Sequence, residues 1–211
     1  MQSNRRRLAS LALLLALSAC SSSGNKNSMD DERAPGEWLQ PSPLLAQRID
    51  DEAQRLPYTH GMEHLEQIRW FASVGEPAYP TLLELACDQR DHVAAAAMAA
   101  MGATRDGRLV GPLNSLTCWE EGHRRSDDLM LERARALVRL GDWDAMPTLI
   151  EGLASDSRRV RALCDQALFE STRQRFGFEA DGPEEERTAA IRHWEEWWLA
   201  RTGEGLLITG R

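Results

Sequence analysis

Three stretches of this chain repeat one another, and that repetition constrains the fold more than any other feature. Residues 75–85 (GEPAYPTLLEL), 105–116 (RDGRLVGPLNSL) and 141–153 (GDWDAMPTLIEGL) each open on turn residues, place a Pro or Gly early and continue with Leu at helical spacing. Proline is tolerated in the first turn of a helix because that N–H has no helical partner. Aligning Pro80, Gly111 and Pro147 gives steps of 31 and 36 residues. Each stretch is followed by a second helical segment, opening at Val93, Leu129 and Val160. In each of these a small residue and then a larger apolar one occupy equivalent places: Ala100 and Met101, Ala136 and Leu137, Ala167 and Leu168. Small residues let neighbouring helices approach, and larger ones fill the space between layers.

Upstream, residues 44–56 and 62–74, separated by Pro57, read as a degenerate first pair. Period-two alternation is nearly absent, so no sheet is expected. A single helical hairpin cannot bury its own apolar face, whereas about four in series can share one continuous core. The expected fold is all-α: a short α-solenoid of about four hairpins. After Phe176-Gly177-Phe178, Pro183 and the run Glu184 to Glu186 mark the start of a last helix, since acid favours the N-terminal dipole. Ile191, Trp194 and Trp198 form one stripe of that helix and are expected to cap the stack. Trp197 falls off the stripe and is a candidate for contact with a partner.

The pattern Gly-x-Pro-Ala-x-Pro-x-Leu-Leu followed by Val-x-x-Ala-Ala-x-x-Ala resembles HEAT repeats, above all the short bacterial type also found in phycobilisome lyases. The resemblance covers roughly residues 44–175; the second and fourth hairpins carry the pattern and the first and third depart from it. It implies antiparallel helices stacked with a right-handed turn, closed by a Trp-rich helix, and a role in binding proteins.

The leader gives an address. Arg5, Arg6 and Arg7 precede an apolar run from Leu8 to Ala19, closed by Leu17-Ser18-Ala19-Cys20. A dozen helical residues reach only about 18 Å, short of the roughly 30 Å hydrocarbon core, so the run reads as a secretory signal and not a span. Its ending resembles the lipobox of bacterial lipoproteins. That resemblance implies cleavage before Cys20, lipid on the Cys20 sulfur and an acylated new N-terminus. Ser21, being non-acidic, points to the outer membrane in the same families. The expected organisation is a signal peptide over 1–19, a polar tether over 20–37, repeats over 38–175, a capping turn and helix over 176–202, and a tail over 203–211. Membrane contact is expected through lipid alone.

Charge narrows the partners. Removing the three leader Arg from 25 basic residues, against 33 acidic ones, leaves the mature chain near −11. Nucleic acid selects basic faces and is excluded as a partner. Cys87, Cys118 and Cys164 remain after Cys20, an odd number without Cys-x-x-Cys spacing. Cys87 and Cys118 occupy equivalent places seven residues after Pro80 and Gly111. Stacked helix axes about 8–10 Å apart favour free thiols there over a bond, which prefers Cα atoms within about 7 Å. Cys164 reads as core.

Two further groups carry binding chemistry. The 118–128 segment lengthens the loop inside the third hairpin and holds Trp119, His123, Arg124 and Arg125. An exposed Trp beside paired Arg has the composition of a contact hot spot; the alternative is a solvated loop with Trp119 folded back and Asp127 or Asp128 capping the next helix. His60-Gly61-Met62-Glu63-His64 matches the inverted zinc-peptidase pattern, in which two His four apart share a metal and the adjacent Glu acts as base. Pro57 and Gly61 put His60 at or before the helix start, against that geometry. No nucleophile–base–acid order or phosphate-binding loop stands out, and no cofactor is expected. The chain reads as a non-catalytic protein-binding or scaffolding module at the bacterial envelope. The alternatives are a zinc hydrolase through His60, Glu63 and His64, a lyase-like relative of HEAT-repeat proteins, or a purely structural component of the envelope.

Overall fold

Pro80, Gly111 and Pro147 all stand at the second position of a helix, each entered through one 3-10 turn: Glu76–Ala78, Gly107–Leu109 and Trp143–Ala145. The structure, a computed structural model, describes residues 37–119 and 126–203. Nine α-helices occur among them and no strand: α1 (Pro43–Arg55), α2 (Gly61–Val74), α3 (Tyr79–Leu85), α4 (Asp91–Thr104), α5 (Val110–Asn114), α6 (Asp127–Leu140), α7 (Met146–Gly152), α8 (Arg158–Thr172) and α9 (Glu184–Thr202). The all-α expectation holds. The aligned leucines Leu82, Leu113 and Leu149 are each 0% exposed, one per repeat at the same helical position.

The second helices form one layer, with α2 against α4, α4 against α6 and α6 against α8. The first helices pack on this layer, α3 against α4, α5 against α6 and α7 against α6 and α8, while α1 meets α3 and the closing helix α9 meets α7. The paired small and large residues behave as their spacing predicts: Ala100, Met101, Ala136, Leu137, Ala167 and Leu168 are all buried. Helix α6 is buried on two sides. Its Leu129, Ala136, Leu137 and Leu140 join the core of the first three hairpins, while Ala134 and Val138 join the core of the fourth hairpin and the closing helix. Removing one hairpin therefore exposes apolar surface on its neighbour, which is the energetic basis of a stack.

Polar links tie successive turns together. Arg108 reaches back to Glu76 at 3.2 Å, and Asn114 Nδ2 donates to Asp142 at 2.9 Å. Serines cap three of the helices, with Ser42, Ser126 and Ser157 accepting from Leu45, Leu129 and Val160 N–H. Ser126 thus takes the cap expected of Asp127 or Asp128; those acids sit in the first turn of α6, where the dipole favours them.

The C-terminal closure follows its pattern. Trp194 is 0% exposed, Trp198 is buried beside it, and Phe176 meets Trp194 edge-to-face with ring centroids 4.8 Å apart. Buried Arg161 holds the approach to α9. It donates to the carbonyls of Ser155 and Asp156 at 2.8 and 2.9 Å and to Ala180 O at 2.8 and 3.0 Å.

One expectation is overturned. Cys87 and Cys118 are joined by a disulfide, with Cα atoms 5.6 Å apart. Both lie beyond helix ends, Cys87 two residues past α3 and Cys118 in the 3-10 turn Thr117–Trp119 that follows α5. Axis spacing governs helix interiors; here the chain has left both axes and the turns converge. Cys164 is free and buried, as expected.

Candidate functional site

The layer of second helices presents a groove of about 390 Å³ running across α4, α6 and α8. Each helix contributes side chains from the face left after its core positions are used. His92 and Ala95 come from α4, Leu131 and Arg135 from α6, and Arg159 and Leu163 from α8. Ala95 keeps the α4 wall low, so the groove passes over it. The buried Cys164 lines the floor, where its sulfur fills the space a Cβ on Gly152 would take. Burial raises its thiol to about 12, so it stays protonated at neutral pH and acts as a small apolar group.

The groove is amphipathic. Leu131, Leu163 and Val160 give apolar area, and charges flank it. Arg135 pairs with Glu132 at 2.7 Å along α6. Ser126 donates to Asp91 at 2.5 Å, joining the starts of α6 and α4. Arg159 is exposed on the rim. Apolar floor with a charged rim is the surface chemistry of a protein or peptide contact.

At the α4 end the groove meets a group of three histidines. His92 lies with its ring centroid 6.4 Å from His60 and 6.3 Å from His64. Burial first, then the neighbouring charges of His92 and His60, lower the His64 pKa from its ordinary value. Sequence spacing pairs His60 with His64 and Glu63; the fold adds His92, which comes from the next hairpin and carries no local signal of the contact. His60 is the extended residue before α2, so the two histidines do not share a helical face. Glu63 is held by Arg55 at 2.6 Å.

The other candidate residues fall in different places. Trp119 is half-buried against the core of the first three hairpins, with the Arg133 guanidinium 5.3 Å from its ring centroid. It folds back onto the stack. His123, Arg124, Arg125 and Cys20 lie outside the described residues. Trp197 is half-buried in an aromatic cluster, its centroid 6.1 Å from Trp143 and 5.6 Å from Trp194. Arg201 covers this cluster, 4.2 Å from the Trp143 centroid and 5.7 Å from that of Trp197. Its i, i+4 spacing from Trp197 is a signal that reasoning from sequence passed over. Of the two described partner-contact candidates, Trp119 belongs to the third hairpin and Trp197 to the closing helix.

No helix among the described residues is long and apolar enough to cross a membrane. Comparison with family models, with curated proteins and with solved structures finds no match to this chain.

Proposed function

We propose that this chain is a lipid-anchored, non-catalytic protein-binding module of the bacterial envelope, held through Cys20 and taking its partner in the groove of α4, α6 and α8. The observation that carries the reading is the groove itself. It is continuous over three successive hairpins and offers apolar contact with a charged rim. A stack of this kind exposes one helix layer for docking without any internal pocket being needed.

Two further features support the address. The leader ends on the lipobox-like Leu17-Ser18-Ala19-Cys20. The Cys87–Cys118 disulfide belongs with an oxidising compartment, since cytosolic thiols are kept reduced. The net negative charge keeps the body soluble beside a membrane to which only the lipid need bind. The hydrolase reading is the weaker one, because Glu63 is engaged by Arg55 and His60 stands outside the helix that carries His64.

Labelled palmitate and fractionation test the anchor: the full-length chain takes up label and sediments with membranes, and Cys20→Ala does neither. A stoichiometric protein co-purifying with the detergent-solubilised chain, and lost with Leu163→Glu, is the expected mark of the groove. A label-free, soluble wild type contradicts the anchor. A partner retained at full yield by Leu163→Glu contradicts the groove.

A further inference from the structure

The three histidines at the α4 end of the groove have a feature that exposed histidines seldom share: two of them have their tautomers fixed by the fold. The chain of bonds starts at Glu52. Its carboxylate accepts from Gln67 Nε2 at 2.8 Å, which orients the amide so that Gln67 Oε1 faces the other way. Thr59 Oγ1 lies 2.6 Å from that oxygen and 3.1 Å from Leu56 O. Both are acceptors, so the single hydroxyl proton of Thr59 is committed to one of them. Towards His64 Nδ1, 3.1 Å away, Thr59 Oγ1 then has only lone pairs to offer. His64 Nδ1 must be the donor, and Nε2 is left as the bare nitrogen.

His92 is fixed in the same sense from another element. Its Nε2 lies 3.2 Å from Pro57 O, a carbonyl that can only accept. Nε2 therefore carries the proton and Nδ1 the lone pair. Gln67 and Thr59 are 4% and 5% exposed, so the bonds that set His64 are built into the interior. An imidazole whose far N–H is held by a protein acceptor, with its other nitrogen bare, is the arrangement in which histidines ligate metals.

We propose that His60, His64 and His92 form a binding site for a divalent transition-metal ion of the zinc, nickel and copper class, with water completing the coordination. Imidazole nitrogens suit these ions and not magnesium or calcium. As they stand, no group of three or more His, Cys, Asp or Glu among the described residues is placed to hold a metal ion, so the rings must turn to close on one. With metal–nitrogen bonds of about 2.0–2.1 Å, two ring centroids sharing a tetrahedral ion stand roughly 5 Å apart, against 6.3 and 6.4 Å here. His60 is exposed and can turn, while the Thr59 hydroxyl holds His64 and the Pro57 carbonyl holds His92. The site joins two hairpins, since His60 and His64 flank the start of α2 and His92 begins α4. A bound ion would therefore clamp the first hairpin to the second. The inference is independent of the protein-binding reading, and neither needs the other.

The test is titration of the untagged full-length chain, in detergent and metal-free buffer, with Zn2+ or Ni2+ alone, followed by calorimetry and by thermal melting. One ion per chain is expected, with a raised melting temperature and an affinity that falls as pH drops through the histidine range, because protons compete for the same nitrogens. His64→Ala and His92→Ala are each expected to weaken binding about tenfold or more, and Thr59→Val to weaken it by about tenfold through loss of the fixed tautomer. His193→Ala, remote from the cluster, should bind as wild type. His92 and His60 are on the surface, so their variants decide the matter should Thr59→Val fail to fold. Absence of saturable binding by the wild type, or binding unchanged in His92→Ala and His60→Ala, overturns the proposal.

Discussion

A Cβ placed on Gly102 would stand 3.0 Å from the Cα of Ala136. Helices α4 and α6 are therefore in near backbone contact at the middle of the stack, and only the absence of a side chain allows it. Gly102→Val is expected to cost about 1–3 kcal/mol by overpacking, read as a lowered denaturation midpoint. Gly111, in α5, has nothing within 4 Å of its added Cβ and no positive φ. Gly111→Ala should raise stability by about 0.4–1 kcal/mol, since alanine loses less backbone entropy on folding.

The Cys87–Cys118 bond closes a segment with a sequence separation of 31 residues that spans the junction of the second and third hairpins. Chain-entropy reasoning puts the stabilisation from such a loop at about 3–4 kcal/mol. Cys87→Ser with Cys118→Ser, or reduction of the wild type, should lower the melting temperature clearly. The same reductant should leave the melt of the double variant unchanged.

Trp194 and Trp197 are three residues apart and differ in role. Trp194→Ala removes a fully buried ring from the core of the closing helix, at a cost of about 3–5 kcal/mol. Its indole N–H has no hydrogen-bond partner among the described residues, so Trp194→Phe forfeits volume but no bond and should cost clearly less. Trp197→Ala removes a half-buried ring under Arg201 and should cost less than half of the Trp194→Ala loss, by chemical denaturation.

What the sequence carried and what it did not separate along physical lines. The aligned positions Pro80, Gly111 and Pro147, and the buried pairs from Ala100 and Met101 onward, depend on periodicity within one helix, and periodicity is visible in one dimension. The closing stripe of Trp194 and Trp198 was legible for the same reason. The Cys87–Cys118 bond was not, because it depends on how two turns bend after their helices end. His92 was missed because its place beside His60 and His64 is set by the register of α4 against the segment before α2. Trp119 left two readings open, and packing under Arg133 chose between them. The groove was not legible as a surface, because which residues line it depends on how α4, α6 and α8 lie beside one another.

Burial holds the Cys164 thiol near 12, far above neutral pH. The native protein should therefore take no iodoacetamide at Cys164 at pH 8, whereas the unfolded chain should be alkylated there rapidly, as peptide mass spectrometry would read. Native labelling at the rate of an exposed cysteine would mean that the groove floor opens.

Photo-crosslinking in native envelopes tests the central claim most directly. A photoreactive residue at Arg159, on the groove rim, is compared with one at Glu84, exposed on the opposite layer in α3. The account predicts one discrete protein adduct from position 159 and none from position 84, with the adduct abolished by Leu163→Glu. Equal adducts from both positions, or an adduct from position 84 alone, would contradict it.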